Sequence, residues 1–316
     1  MLGAVFGVLS AASFGLTSAL IRRAVMGMVP HHGLYITVFT ALPLYALLTL
    51  AFGQLFRWEE FTRLDYVYLT VGGIVSLVIG RYGNYRTIAA LGSNRATPLI
   101  GSATLVSVGS AVAFAGEEVT MVMVVAIGLM MAGPAMVTPR RKPRGLSPVR
   151  PVSAAGEASS PLAAVAANSA TEPRYAEGYF FAALTVVTWG VGPVFIRVVV
   201  ADSGLPLLAG LITYIASAVA LLLFLLVPGQ ATSLAHMNRT GLRWFLLTSV
   251  FSFSANLFRV LSLSLAPVAI VMPLTRLSGV FTVLFNLVLN RSTESFEPRV
   301  IGGIVLSVAG AILLVA

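Results

Sequence analysis

Residues 14–25 read FGLTSALIRRAV and residues 189–200 read WGVGPVFIRVVV, so an aromatic-Gly pair, an apolar stretch and an Ile-Arg step recur at an offset of 175. The same offset aligns Pro98 with Pro273 and Gly128 with Gly303, which extends the repeat over nearly everything except a polar stretch near the middle of the chain. One unit has been used twice. Each copy holds five hydrophobic segments, and because five is odd the second copy enters a membrane from the opposite side. Inverted repeats of this kind place a binding site near their shared midplane, which points to a transporter.

Composition sets the solvent. The chain is 58% hydrophobic and 10% charged with a mean hydropathy of +0.94 over 316 residues, whereas soluble domains carry roughly 25% charged residues. A bilayer core about 30 Å thick needs roughly 20 apolar residues per helix. Ten segments qualify, at 2–21, 33–53, 66–88, 96–114, 120–138, 178–199, 205–227, 243–265, 268–289 and 299–316. Long segments without alternation are expected to be helices, because backbone polar groups cannot go unpaired in lipid. The expected fold class is all-α integral membrane, ten transmembrane helices in two inverted five-helix repeats. Residues 1–138 form the first repeat, 139–176 a linker and 177–316 the second repeat.

The linker is rich in Pro, Ala and Ser, opens on the basic run PRRKPRG and lacks hydrophobic periodicity, so it is expected to be disordered. It reads as a topogenic tether, with lipid headgroup binding by the basic run as the alternative. The first segment lacks a preceding charge and is followed by Arg22 and Arg23, the reverse of a cleavable signal, so it reads as a retained helix.

The net charge of +9 does not indicate nucleic acid, because the basic residues are sorted by loop. Loops opposite the termini hold Arg22, Arg23, Arg95, the Arg140–Arg150 cluster, Arg174, Arg239, Arg243, Arg291 and Arg299. The terminal-side loops hold only Arg57 and Arg63. Cytoplasmic loops accumulate Lys and Arg, so both termini are expected to face outward.

Charges inside segments are costly, about 2.5 kcal/mol or more at a helix centre, and survive mainly where function uses them. Arg276 lies near mid-depth, three residues after Pro273, and its counterpart in the first copy is Gly101, so duplication does not explain it. Guanidinium suits carboxylate or phosphate, which makes Arg276 the leading candidate for an anionic or zwitterionic substrate. Arg81 and Arg259 lie about two-thirds of the way across their segments at roughly 1.5 Å per residue; they read either as pocket residues or as structural partners of helix-end carbonyls. Arg197, matched by Arg22, and Arg86 read as snorkelling to the interface. Asn84 and Asn256 could bond a ligand or a neighbouring helix. Trp189, matched by Phe14, reads either as a cavity wall or as core.

All eleven carboxylates lie outside the segments or at their ends, which disfavours exchange of a proton for an organic cation. Glu117, Glu118 and Glu294 precede the last helix of each copy and are expected to cap it. His31, His32 and His236 read as loop histidines, a weak basis for a proton relay. The small-residue stripes at Gly128 and Ala132, and at Gly303, Ser307 and Ala311, read as packing seams, with a homodimer interface as the alternative. With no Cys, no zinc, phosphate-loop or nucleophile motif and no cofactor signature, neither an enzyme nor a metal site is read.

The stretch GRYGNYRTIAALGSNRATPLIGSA at 80–103, a Gly-Glu-Glu turn and IGLMMAG resembles the EamA repeat of the drug/metabolite transporter superfamily. ANLFRVLSLSLAPVAIVMPL, an acidic turn and IGGIVLSVAG form a looser second copy. The resemblance implies two inverted five-helix halves, alternating access around a central cavity, and export of amino acids or other small metabolites. It places Arg81, Asn84, Asn256, Arg259 and Arg276 on cavity-forming helices. The lack of a deep acid in the first helix departs from the small multidrug relatives. The expected partners are thus a small-molecule substrate and membrane lipids, in the inner membrane if the source is bacterial. A lipid flippase or scramblase acting on anionic headgroups is the alternative function.

Overall fold

The structure, a computed structural model, describes residues 2–25, 30–91, 99–137, 175–226, 234, 239–289 and, of the last segment, 302, 305, 306, 308–310, 312 and 313. The linker, Gly303, Ser307, Ala311, His236 and Glu294 lie outside the described residues, and with them the readings placed on those positions. The described regular elements are helical. In chain order they are α1 (Leu2–Val25), α2 (Pro30–Ala51), a 3₁₀ turn (Gln54–Glu60), α3 (Arg63–Gly73), a π-helical segment (Ile74–Gly80) and α4 (Arg81–Leu91). Then follow α5 (Ala103–Ala115), α6 (Met121–Val137), α7 (Tyr175–Ser203), α8 (Pro206–Phe224), α9 (Arg239–Leu265), α10 (Val268–Thr275) and α11 (Ser278–Leu289).

Among the described residues, seven helical spans are long and apolar enough to cross a membrane, with shorter apolar helices at Leu99–Phe114 and Met121–Ala132. Large apolar side chains such as Leu47, Phe114, Val122, Leu223 and Val288 face outward, the pattern of a surface solvated by lipid. Serines and threonines inside the helices satisfy themselves by donating to the carbonyl one turn back, as Thr49 does to Tyr45 O and Ser217 to Thr213 O.

The two halves contact each other in matching pairs. α1 runs along α9, α10 and α11, while α7, its repeat counterpart, runs along α3, the π segment, α4 and α5. α2 packs on α9 as α8 packs on α3, and α2 meets α8 directly. The largest core cluster lies at this junction, with Tyr45, Leu69, Tyr214 and Leu263 fully enclosed.

Small residues let the backbones close. At Gly80 a Cβ would lie 2.4 Å from Trp189 Cδ1, and at Gly210 it would lie 2.4 Å from Tyr45 Cε1. Gly128, by contrast, is open, with nothing within 4 Å of where its Cβ would stand; Gly310 makes the close approach, against Met130 and Ala126. His31 and His32 differ from the loop reading as well: they occupy the first turn of α2, and His32 is buried.

Candidate functional site

α3 begins on a capping box in which Thr62 Oγ1 accepts from Asp65 N and the Asp65 carboxylate accepts from Thr62 N. The rod then widens into the π segment, where Trp189 Nε1 donates to Ser76 O at 2.9 Å. Diverting a carbonyl to a tertiary partner is compatible with the looser π register, and such segments recur at functional sites. Arg81 is the first residue beyond it. Its side chain is buried at 6% exposure, donates from Nη1 to Thr37 Oγ1 at 3.0 Å, and lies beside Tyr45, Tyr85 and Tyr214.

Arg259 enters from α9. At 8% exposure it donates from Nη2 to Asn256 Oδ1 at 2.9 Å, and Asn256 in turn donates to Ser252 O at 2.7 Å. Asn256 thus orients Arg259 from one turn away. Arg81 is within electrostatic reach of Arg259.

Arg276 stands at a break in its span. α10 ends at Thr275, and Arg276 N, Leu277 N and Gly279 N donate to Pro273 O, Leu274 O and Arg276 O at 2.8, 3.1 and 3.1 Å, a tight turn before α11. The first copy breaks at the same register: Ser102 N donates to Leu99 O at 3.2 Å, and position 102 aligns with 277. Interruptions at corresponding positions of two repeats mark binding sites in transporters. The two breaks also meet, because Arg276 Nε donates to Thr104 Oγ1 at 2.5 Å. Arg276 is half-buried and within electrostatic reach of Arg259.

Three guanidiniums therefore share one interior region. The buried Tyr45 hydroxyl and Arg259 Nε make no hydrogen bond there, and the Tyr214 hydroxyl faces the Arg81 guanidinium. A buried polar group without a partner costs about 1–3 kcal/mol, so these groups suit an incoming acceptor. The described carboxylates are at helix ends or in loops, and the nearest are engaged elsewhere: Glu177 pairs with Arg86, and Glu117 with the start of α10.

The other candidates separate. Asn84 is half-buried on α4, one turn beyond Arg81. Trp189 spends its N–H on Ser76 O and its ring on Gly80, so it is a contact between the halves. Arg197 and Arg86 do not simply snorkel: Arg197 Nη1 donates to Leu263 O at 2.6 Å, and Arg86 Nε donates to Glu177 Oε1 at 2.9 Å. Glu117 does not cap α6, where Thr120 Oγ1 accepts from Met123 N at 3.3 Å. Instead Gly116, at φ 63°, turns the chain so that Glu117 accepts from Val268 N and Ala269 N of α10, at 2.8 and 2.9 Å. That left-handed turn needs glycine. Tyr45, Tyr214, Thr37 and Thr104 were not singled out from the sequence. A tyrosine or threonine in an apolar segment looks like core, and no repeat partner marks the tyrosines, since Tyr45 aligns with Ala220 and Tyr214 with Phe39.

The model of the EamA-like transporter family matches residues 1–138 and 176–316. The chain belongs to this family. EamA proteins are membrane transporters of the drug/metabolite type, which makes this chain a multi-pass membrane protein and a transporter at the level of the family, not an enzyme. A solved crystal structure shares the fold, with a TM-score of 0.67 at 18% identity over 99% of this chain and 98% of that one. No curated protein matches the sequence.

Proposed function

We propose that this EamA protein is a secondary transporter, acting as an exporter of small polar metabolites such as amino acids or organic anions, by alternating access around a central chamber. The carrying observation is the convergence of Arg81, Arg259 and Arg276 on a buried region in which Tyr45 Oη and Arg259 Nε are unpaired. Guanidinium in a low-dielectric chamber holds carboxylate or phosphate by planar, charge-assisted hydrogen bonds. The matching contacts of α1 and α7, and the shared break register at Ser102 and Leu277, support an inverted pair of five-helix repeats as the scaffold. In this reading the termini face outward, the bulk of the loop arginines lie in the cytoplasm, and the chain sits in the inner membrane of a bacterial source.

A headgroup-handling flippase fits less well, because Arg81 and Arg259 are 6% and 8% exposed and lie among helices instead of along a lipid-facing groove. The test is uptake of labelled amino acids, organic anions and lipids into proteoliposomes, for the natural protein and for Arg276→Ala and Arg276→Lys. Loss of an ionic hydrogen bond of about 1.5–3 kcal/mol predicts a loss of roughly ten- to a hundredfold in kcat/KM. Lysine should not rescue, because it lacks the Nε–H that engages Thr104. Unchanged transport of every substrate in both variants would remove Arg276 from the site.

A further inference from the structure

Resting on the transporter reading above, we infer that the chamber selects substrates bearing two negative charges, dicarboxylates or phosphate esters, over zwitterionic amino acids, and that it moves them by exchanging one anion for another. The selectivity follows from which groups are already spent. Thr37 Oγ1 accepts from Arg81, Thr104 Oγ1 from Arg276 and Asn256 Oδ1 from Arg259. Near these arginines the buried groups left without a partner are the Tyr45 hydroxyl and Arg259 Nε–H, and the Tyr214 hydroxyl lies against Arg81. An amino-acid carboxylate would find donors here, but its ammonium would meet three guanidiniums and, among the described residues, no carboxylate, with neutral tyrosine oxygens as the acceptors left to it. A polar group desolvated without a partner is heavily penalised, a charged one more so. A second anionic group meets the opposite: another guanidinium.

Exchange follows from the same charge balance. During alternating access the chamber passes through a state closed to water on both sides, and an empty one would carry three guanidiniums with no described counter-ion. Water leaving a charged cavity is costly, so the empty form crosses slowly. A bound dianion offsets two of the three charges, and the loaded form crosses faster. Net movement in one direction is then slow, while one anion going out for another coming in is fast.

The experiment uses the full chain, purified and reconstituted in liposomes at low and moderate ionic strength. Labelled succinate, glycerol 3-phosphate, butyrate and leucine are supplied outside, with the vesicles preloaded with unlabelled succinate or with none. Thermal stabilisation of the detergent-solubilised protein by the same four compounds is measured in parallel. The expected result is uptake of succinate or glycerol 3-phosphate that rises about tenfold or more with preloading, and stabilisation by these two well beyond that by butyrate or leucine. Arg276→Gln should narrow the preference for succinate over butyrate by a similar factor, and stabilisation of Arg81→Gln by the same compounds gives a second reading if the first variant is poorly folded. Leucine transported as well as succinate, with dependence on Arg276, would overturn the dianion selectivity while leaving the transporter reading intact. Succinate uptake indifferent to internal anion would overturn exchange. No binding and no uptake of any of the four would count against both this inference and the broader reading.

Discussion

At the scale of single residues, the arginines carry a signal that the tyrosines do not. Arg81, Arg259 and Arg276 stand out in the sequence because a permanent charge in an apolar segment demands an explanation, and the structure brings Arg259 within electrostatic reach of both Arg81 and Arg276. Tyr45 and Tyr214, with ring centroids 5.0 Å apart, lie beside Arg81 and Arg259, yet nothing in the string distinguishes them from core aromatics. The unpartnered Tyr45 hydroxyl makes a specific prediction. Tyr45→Phe removes a buried group that the substrate-free protein leaves unpaired, so it should leave thermal stability unchanged or raise it by about 1 kcal/mol while weakening substrate binding. Melting temperatures with and without succinate test this. A clear loss of substrate-free stability would mean that the hydroxyl is partnered in the resting protein.

Elements show where local reasoning stops. Hydrophobic length located the seven long spans that the described residues show, out of the ten expected, because the cost of unpaired backbone in lipid allows little else. It could not reveal the π segment at Ile74–Gly80, where Ser76 O accepts a tertiary hydrogen bond from Trp189, or the break at Arg276. Nor could it say that Glu117 serves α10 and not the adjacent α6: a carboxylate before a helix looks the same whether it caps that helix or one about 150 residues away. Trp189→Phe should leave Ser76 O without its donor, cost about 1–3 kcal/mol, and let the π segment relax, shifting Arg81. Lower stability accompanied by weaker transport is expected, whereas Trp189→Phe with normal transport would separate the π register from the site. Gly192→Leu is harsher, since its Cβ would fall 1.8 Å from Ser76 Oγ and the two helices cannot separate without opening the seam.

At the scale of the whole molecule, the halves are tied together by polar contacts at their ends and by guanidiniums in the middle. Glu117 of the first half holds the start of α10, with Arg197 Nε 3.9 Å from its Oε1; Gln54 Oε1 accepts from Leu207 N and Leu208 N at the start of α8; Ser262 Oγ donates to Gly3 O at 2.6 Å. Because Glu117 joins the halves through a helix start, Glu117→Gln should weaken that face by about 1–2 kcal/mol. The variant should favour the conformation in which that face is open, read as faster labelling of cysteines introduced there; unchanged labelling would make Glu117 a local cap only. The two stretches that the family model matches, 1–138 and 176–316, were legible because matched residues recur at a fixed offset. The pairing of helices across them was not, since lateral packing in lipid depends on small residues and shape that recur throughout both copies.

The central claim is that the region around Arg276 and Thr104 is a chamber reached by water from each side of the membrane in turn. The chain has no cysteine, so Thr104→Cys places a single thiol beside the Arg276 side chain. Labelling it in oriented vesicles with a membrane-impermeant anionic methanethiosulfonate, first from outside and then from inside, tests the claim directly. Reaction from both sides, slowed by succinate in each case, is the expected result. A thiol that reacts from neither side, or only with a lipid-soluble reagent, would contradict it.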